Sequence, residues 1–433
     1  MSSKNEIPPT KERIVIVGGG FAGLNLVKRL DKKRFEIILV DRNNFHSFPP
    51  LFYQIASSGL DPGSISFPFR REMRKERAKG ARFHLGEVKE IDLARKELHT
   101  QFETLHYDRL IISAGTTNNF FGQPDLVKYV YTMKSASESI RIRDEVLDRL
   151  ERASLTQDAE VRRRLLSFTV IGGGPTGVEV AGALGEMKRD IITREYPGIN
   201  PDEVKITILE GTDKLLGTMS PMASRKALDY LKELMVDVKL SHLMVAYDNN
   251  IVRLDDGTEF YSEMVIWTAG VTGVSFNITG GELPIGRGNR IEVDTMNQVK
   301  GHEGVYALGD ICIMTDDAYP KGHPQLAQVA IQQAKNLATN LNKNTDKAFH
   351  YRDKGSMATV GRNLAVVDMN HFHLYGWPAW LTWMFVHLIS LLGMRNKVTV
   401  LINWMWAYFT YNTSLRLLIH TTRYPLRSRW GER

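Results

Sequence analysis

The chain has 433 residues, of which 43% are hydrophobic and 24% are charged, and its formal net charge is +7. A chain of this length and composition builds a sizeable core and divides into two or three domains. The single cysteine, Cys312, excludes an internal disulfide, a Cys-x-x-Cys redox centre and a cysteine-rich metal site within one chain. Neither a metal ion nor a nucleic acid is an expected partner.

The first residues of the chain carry no recognisable targeting segment. Residues 1–12 are polar and include Glu6 and Glu12. They have neither the apolar core of a signal peptide nor the acid-free amphipathic pattern of a transit peptide. We therefore expect the chain to stay in the compartment in which it is made.

A βαβ pattern with a glycine turn opens the ordered part of the sequence. An apolar strand, a Gly-x-Gly-x-x-Gly turn, a helix and a strand that ends on Asp41 follow one another, at residues 13–17, 18–23, 24–30 and 35–41. Gly18 permits the tight turn, Gly20 lets the backbone approach a pyrophosphate, and Gly23 lets the helix pack close to the strand. Asp41 is placed to accept hydrogen bonds from ribose hydroxyls. The acid in register favours a dinucleotide-binding fold over an unrelated glycine-rich turn.

The same order of features returns later in the chain. Gly172, Gly174 and Gly177 follow a second apolar strand, and the strand at residues 204–209 ends on Glu210. A carboxylate there pairs with the ribose hydroxyls of an adenosine and repels a 2′-phosphate, and residues 211–213 offer no arginine to receive one. The sequence therefore predicts two dinucleotide-binding folds, and if the second binds a nicotinamide dinucleotide, Glu210 favours NADH over NADPH.

Two further strands run into turns of small residues, which let a backbone lie against a bound cofactor. These turns are Ala114-Gly115 and Ala269-Gly270. The aromatic and proline-rich residues 45–54 suit either a cofactor pocket or a packed surface loop. Residues 135–166 are rich in Arg and Glu with apolar residues at helical spacing, and we expect a solvated helical excursion there.

Residues 304–310 form another buried strand, which ends on Asp310, and a helix begins near Leu326. Gln328 and Gln332 are four residues apart and therefore share one face of that helix. Together with the two nucleotide folds, Gly309-Asp310 and the Ala327-Gln328-x-Ala330-x-Gln332 element resemble the type II NADH:quinone oxidoreductases. This family lies within the flavoproteins that have two dinucleotide-binding domains. The resemblance covers nearly the whole chain.

The resemblance implies that the first fold holds non-covalent FAD and that the second binds NADH. The matching FAD positions are Gly18, Gly20, Phe21, Ala22, Gly23, Asp41, Ala114, Gly115, Gly309, Asp310, Ala327 and Gln328. The matching NADH positions are Gly172, Gly174, Pro175, Thr176, Gly177, Glu179, Glu210, Ala269 and Gly270. Gln328 and Gln332 match the quinone side, and Glu179, Gln328 and Gln332 are the expected catalytic residues.

Each of these polar residues also has a simpler interpretation. Asp310 is either a helix cap or the acceptor for a ribityl hydroxyl. Glu179 either compensates a helix dipole or accepts from the nicotinamide amide. Glutamines four apart are commonly just solvated, whereas beside a flavin their amides can donate to a quinone carbonyl.

The last part of the chain changes in composition. Six of the seven tryptophans lie between Trp377 and Trp430, and residues 377–394 and 398–415 each lack Lys, Arg, Asp and Glu. A transmembrane hairpin is one alternative and a buried dimer interface is another. We favour two amphipathic helices in the membrane interface, with five arginines meeting anionic lipid. These are Arg416, Arg423, Arg427, Arg429 and Arg433.

The expected architecture is α/β, with two Rossmann-like domains and a C-terminal membrane-anchoring segment. Residues 11–118 and 287–345 form the FAD-binding domain, 119–286 the NADH-binding domain and 346–433 the membrane-associating region. The expected enzyme is a respiratory NADH dehydrogenase that pumps no protons and passes electrons to menaquinone or ubiquinone. It is expected as a homodimer, peripheral on the cytoplasmic side of the inner (cell) membrane. The alternative is an NADH-binding flavoprotein with a signalling or scaffold role, resembling apoptosis-inducing factor.

Overall fold

The computed structural model describes residues 11–369, 372–410 and 415–418. The helices, in chain order, are α1 (Phe21–Arg29), α2 (Phe52–Ala56), α3 (Phe69–Glu72), α4 (Arg74–Arg77), α5 (Ala136–Leu155), α6 (Ala159–Leu165), α7 (Pro175–Glu186), α8 (Thr193–Glu195), α9 (Pro221–Glu233), α10 (Ala327–Lys343), α11 (Trp377–Ser390) and α12 (Met394–Thr410). A π-helical segment, Met187–Ile192, joins α7 to α8.

The strands up to the second sheet are β1 (Glu12–Val17), β2 (Phe35–Asp41), β3 (Phe45–Ser47), β4 (Ser66–Pro68), β5 (Arg82–Leu85), β6 (Val88–Asp92), β7 (Glu97–Thr100), β8 (Thr104–His106), β9 (Arg109–Ile112), β10 (Thr116–Asn118), β11 (Tyr131–Thr132), β12 (Ser167–Ile171), β13 (Lys205–Glu210) and β14 (Asp237–Leu240). The remaining strands are β15 (Met244–Asp248), β16 (Ile251–Leu254), β17 (Glu259–Tyr261), β18 (Met264–Trp267), β19 (Val271–Gly273), β20 (Ile278–Thr279), β21 (Ile285–Gly286), β22 (Arg290–Glu292), β23 (Val305–Ala307), β24 (Cys312–Ile313), β25 (Ser356–Gly361), β26 (Leu364–Met369) and β27 (Phe372–Tyr375).

Two parallel five-stranded sheets organise the molecule. The first has the order β23-β9-β1-β2-β5, and the second has the order β11-β18-β12-β13-β14. In both sheets the strand before the glycine turn lies between the strand that ends on the acid and the strand that leads into a small-residue turn. The prediction of two dinucleotide-binding folds is confirmed. The strand order β9-β1-β2-β5 is repeated as β18-β12-β13-β14, whereas the outermost strands differ, because β23 comes last in the chain in its sheet and β11 comes first.

Each sheet is covered on both faces. In the first, α1 and α10 cover one face with apolar residues such as Leu26 and Leu337, and the β6-β7-β8 hairpins cover the other. In the second, α7 and α9 pack on one face and the β15-β16-β17 sheet on the other. A short antiparallel pair, β10 and β19, lies where the chain crosses between the two sheets.

The helical segment at residues 135–166 is not the solvated excursion expected from its charge. Ile142, Val146 and Leu150 of α5 are each at most 1% exposed and belong to the same apolar cluster as α2. Residues 45–54, which suited either a pocket or a surface loop, form β3, a 3-10 turn and the start of the buried α2. The apolar face of α5 therefore packs in the same cluster as α2, which the high charge content of the segment did not indicate.

The C-terminal part begins with an antiparallel sheet, β25-β26-β27, against which α7 packs closely. A Cβ on Gly182 of α7 would lie 1.7 Å from the carbonyl oxygen of Val360, so only glycine permits this approach. Trp383 of α11 and Trp404 of α12 join the cluster that contains α2 and α5. Within the described ranges no helix has both the length and the apolarity that a membrane crossing requires.

Candidate active site

The first glycine turn is closed by its own acid. The backbone N–H of Gly19 donates to Oδ2 of Asp41 at 2.7 Å, and the N–H of Asn43 donates to Oδ1 at 2.8 Å. Burial raises the pKa of Asp41, and these two donors oppose that shift. The N-terminus of α1 has no side-chain cap, and a Cβ on Gly20 would meet no atom within 4 Å. The turn thus leaves a helix N-terminus open for an anionic group.

The second turn repeats this arrangement. The N–H of Gly173 donates to Oε2 of Glu210 at 2.6 Å, and the N–H of Thr212 donates to Oε1 at 2.8 Å. A Cβ on Gly174 would again meet no atom within 4 Å, and Gly174 caps α7 without a side-chain hydrogen bond. Each acid therefore fixes its own glycine turn, a role that was not predicted from the sequence.

Two hydroxyl side chains stabilise the glycine turns through hydrogen bonds, and neither was predicted from the sequence. Ser113 Oγ donates to the carbonyl oxygens of Val17 and Gly18, at 3.0 and 2.8 Å. Thr268 Oγ1 donates to Ile171 O at 2.7 Å in the second fold. Ser113 and Thr268 each come directly before a small-residue turn, and this shared position is the sequence feature from which their role could have been predicted.

The small-residue turns differ in how open they are. Gly115 has φ +71° and no atom near its Cβ position, whereas the ring of Phe121 would lie 2.3 Å from a Cβ on Gly270. Ala114 and Ala269 are half-buried beside them. The first turn is therefore open to a ligand, and Phe121 covers the second.

The remaining predicted turn residues lie at the two helix starts. Ala22 is a buried residue of α1, and the Phe21 ring packs on His46 at 5.4 Å between ring centroids. Pro175 and Thr176 are exposed in the first turn of α7. Because α7 begins at Pro175, Glu179 lies in its second turn.

Gly309 and Asp310 lie in a 3-10 turn that a buried glutamine anchors. Gln333, which is 1% exposed, accepts from the N–H of Gly309 at 2.7 Å. Cys312 Sγ lies 3.3 Å from the carbonyl oxygen of Gly309, and burial raises the pKa of this thiol to about 12. The one cysteine is therefore a structural residue and not a reactive thiolate. Gln333 was not predicted from the sequence, because the Ala327-Gln328-x-Ala330-x-Gln332 element ends one residue before it.

The carboxylate of Asp310 fits the ribityl role. None of the described residues hydrogen-bonds to it, and burial raises its pKa against the opposing charges of Lys134 and Arg290. Arg290 Nε is also buried without a hydrogen-bond partner in the described part of the chain. A half-buried acceptor and a buried donor thus lie without hydrogen-bond partners among the described residues, and a polar cofactor such as FAD would supply such partners.

Gln328 and Gln332 lie at the start of α10, and their amides contact the backbone. Gln328 Oε1 accepts from Lys354 N at 3.0 Å, and its Nε2 donates to Gly355 O at 3.1 Å. Gln332 accepts from Arg352 N and donates to Arg352 O, at 3.1 and 3.0 Å. The two glutamines thus share a face, as expected, and fix the segment that leads into β25.

Glu179 lies on the face of α7 that meets β25. Burial raises the pKa of Glu179 well above its usual value, and the backbone N–H of Thr359 opposes the shift. Glu186, two turns further along α7, accepts from the N–H of Arg362, and burial raises its pKa as well. Both carboxyls act electrostatically on the buried hydroxyl of Tyr53. A row of protonatable groups therefore lies between α7, α2 and β25.

A cavity of about 180 Å³ opens beside this row, under α11 and α12. Gln54 crosses its wall: its Nε2 donates to Tyr53 Oη at 2.8 Å, and its Oε1 accepts from Trp404 Nε1 at 2.9 Å. Trp383 is 1% exposed, and its Nε1 has no partner among the described residues. The cavity wall thus combines aromatic rings, one unused hydrogen-bond donor and charged side chains, among them Glu186 and Arg362.

Comparison with known proteins gives a consistent result. The family described as pyridine nucleotide-disulphide oxidoreductase matches residues 12–334, and the NDH2 C-terminal domain family matches residues 354–410. The chain is 33% identical to the type II NADH:quinone oxidoreductase Ndh of Mycobacterium tuberculosis, over 93% of this chain and 89% of that one. It is also 33% identical to NdhA of the same organism, over 91% and 86% of the two chains.

The fold is similar to that of NDH2 from Plasmodium falciparum, solved in complex with NADH. The TM-score is 0.85 at 21% identity, and the alignment covers 95% of this chain and all of that one.

Proposed function

We infer that this chain, which belongs to the pyridine nucleotide-disulphide oxidoreductase family and within it to the type II NADH:quinone oxidoreductases, oxidises NADH and reduces a quinone. The observation that carries this conclusion is the 33% identity to such an enzyme over 93% of the chain. FAD, when bound, accepts hydride from NADH and passes two electrons on. The protein supplies binding, orientation and proton-holding groups.

We assign FAD to the first fold and NADH to the second. The open N-terminus of α1, the unpartnered carboxylate of Asp310 and the open turn at Gly115 support the first assignment. The open N-terminus of α7 and the carboxylate of Glu210 support the second. Residues 11–118 with 287–345, and residues 119–286, are the corresponding domains of this proposal.

Glu179 is proposed to hold the nicotinamide amide. Because burial raises its pKa, its carboxyl retains a proton to a higher pH than an exposed glutamate does. A protonated carboxyl can donate as well as accept, so it can bind either end of the amide. In this state Glu179 also adds no charge to an apolar site.

Gln328 and Gln332 form the quinone side of the proposal. Their amides are bonded to residues 352–355, so a quinone carbonyl would take up a Gln328 N–H only in exchange for Gly355 O. The cavity beneath α11 and α12, whose wall contains the unused Nε1 of Trp383, is proposed as the entry of the quinone, and neither glutamine lines it.

The C-terminal helices are proposed to hold the enzyme on the anionic cytoplasmic surface of the inner (cell) membrane, as a homodimer. Support for the membrane contact comes from large apolar side chains of α11 and α12 that are more than half exposed: Phe385, Ile389, Trp406 and Phe409. Such a patch on two adjacent helices marks an interaction surface. Of the arginines expected at this surface, Arg416 pairs with Glu195, and Arg423 to Arg433 lie outside the described residues.

Steady-state assays test the activity and its cofactor choice. FAD-loaded protein should turn over continuously with NADH and a short-chain quinone, whereas a flavoprotein sensor resembling apoptosis-inducing factor would stop after one reduction.

Removing the Glu210 charge in Glu210→Gln should raise kcat/KM for NADPH relative to NADH by about tenfold. The exposed Glu233→Gln is the matched control, and an unchanged ratio in Glu210→Gln would refute the proposed selectivity.

A further inference from the structure

A cavity of about 640 Å³ lies away from both glycine turns. Its wall includes Ser167 and Lys205, the first residues of β12 and β13. The glycine turn follows the opposite, carboxyl end of β12, as ligand sites in open parallel sheets do. The cavity is therefore separate from the dinucleotide position of this fold.

A buried lysine without a partner lines this cavity. Lys188, in the π-helical segment after α7, is 7% exposed, yet no described residue forms a hydrogen bond or an ion pair with it. Burial lowers the pKa of Lys188, and the Asp202 carboxylate opposes this only at longer range. The Lys188 ammonium therefore has no hydrogen-bond acceptor among the described residues, and an anion in the cavity would supply one. Segments of π-helix recur at functional sites, consistent with such a use.

Two more cations stand at the mouth, while most of the acids are already paired. Arg163 and Lys205 are exposed and form no ion pair within the described ranges. The acids Glu160, Glu203 and Asp237 are each paired, with Arg164, Arg162 and Lys239 respectively. Only Asp202 remains to oppose an incoming anion, so the unpaired charge of the cavity is positive.

The rest of the wall is apolar and partly aromatic. Ile206, Val204 and the ring of Phe260 line it, and Lys205 Nζ lies 5.8 Å from the centroid of that ring. A ligand with one charged end and a flat apolar body would match both parts. We propose that this cavity binds a small aromatic phosphomonoester, with Lys188 as its buried anchor and Arg163 and Lys205 at its mouth.

Calorimetric titration of the full-length, FAD-loaded protein with phenyl phosphate tests this site. Saturating NAD⁺ occupies the dinucleotide site, so that phenyl phosphate cannot bind there. The ionic strength is held constant with chloride. We expect saturable binding, weaker binding of inorganic phosphate because it lacks the ring, and about tenfold weaker phenyl phosphate binding in Lys188→Met. Lys188→Arg should retain most of the affinity.

The exposed Lys75→Met is the matched control and should bind as the unchanged protein does. If Lys188→Met fails to fold, Lys205→Met and Arg163→Met take its place, since each removes one exposed cation. The absence of saturable binding, or equal affinity in the cation variants, would overturn the site. Equal affinity for phenyl phosphate and inorganic phosphate would overturn the role of the apolar wall.

Discussion

At Gly174 and Gly177 the same residue type meets two different surroundings. A Cβ at Gly174 has free space and an ordinary backbone conformation, whereas a Cβ at Gly177 would lie 1.8 Å from Gly172 O. Gly174→Ala should therefore fold with an unchanged Tm and raise the KM for NADH by about tenfold, because the methyl group occupies space that the pyrophosphate needs. Gly177→Ala should lower Tm. A normal KM in Gly174→Ala would contradict the placement of NADH.

His46 makes the stability of the first turn depend on pH. The ring is 4% exposed, its Nδ1 lies 2.9 Å from Gly19 O, and burial lowers its pKa from 6.5 to about 4. Between these values the unfolded chain binds a proton at His46 and the folded chain does not. The free energy of unfolding should therefore rise with pH across this window, by about 3 kcal/mol for this residue. This contribution of His46 should be lost as the pH falls from 6.5 to about 4.

His46→Asn tests this dependence, because an asparagine amide can donate to Gly19 O without titrating. Denaturant unfolding from about pH 4 to pH 7 should give a flatter profile for His46→Asn than for the unchanged protein. The exposed His350→Asn should leave the profile as it was. If the free energy of unfolding changed with pH in the same way for His46→Asn and the unchanged protein, His46 would not be the cause of the loss of stability at low pH.

Among the elements, α12 is attached to α2 through one side chain. Gln54 bonds to both Tyr53 Oη and Trp404 Nε1. Gln54→Leu leaves one buried donor, Trp404 Nε1–H, and one buried acceptor, Tyr53 Oη, without a partner, which should cost about 1–3 kcal/mol of the free energy of unfolding. Trp404→Phe removes that donor as well as indole packing. The double variant should thus lose less than the sum of the two single losses, and strict additivity in urea unfolding would exclude this coupling.

The elements also show what local sequence can and cannot predict. The βαβ units were predictable because strand, glycine turn, helix and acid are adjacent in sequence. The burial of α5 was not, because its apolar stripe meets α2, about 90 residues earlier in the chain, and only the tertiary fold brings them together. The same applies to the glutamines of α10. Their shared face followed from helical spacing, whereas their backbone partners at residues 352–355 depend on how a distant segment returns to the helix.

At the scale of the whole molecule, the C-terminal helices serve the core as well as the surface. Trp383, Val400 and Trp404 are each at most 8% exposed, so a truncation before α11 would uncover the cluster around α2. Surface substitutions are the cleaner test of membrane attachment. We expect a variant with Phe385→Ser, Trp406→Ser and Phe409→Ser to lose binding to anionic vesicles while keeping its turnover with a water-soluble quinone.

Turnover of this triple variant with a long-tailed quinone in liposomes should fall much further, because the site would no longer meet the bilayer. Phe102→Ser is the control, since Phe102 is 69% exposed on the hairpin between β7 and β8. Binding through basic residues should also weaken with added salt. Vesicle binding by the triple variant equal to that of Phe102→Ser would refute the anchoring role.

The order of strands in the first sheet has a consequence for synthesis on the ribosome. β9 ends at residue 112, but its outer partner β23 begins only at Val305, after the whole second sheet has been made. At 5–20 residues per second, the edge of β9 waits roughly 10 to 40 s for that partner. The second fold, whose five strands lie within residues 131–240 and 264–267, can close first. The fold that is begun first is therefore completed last, and a nascent chain needs protection at β9 during that interval.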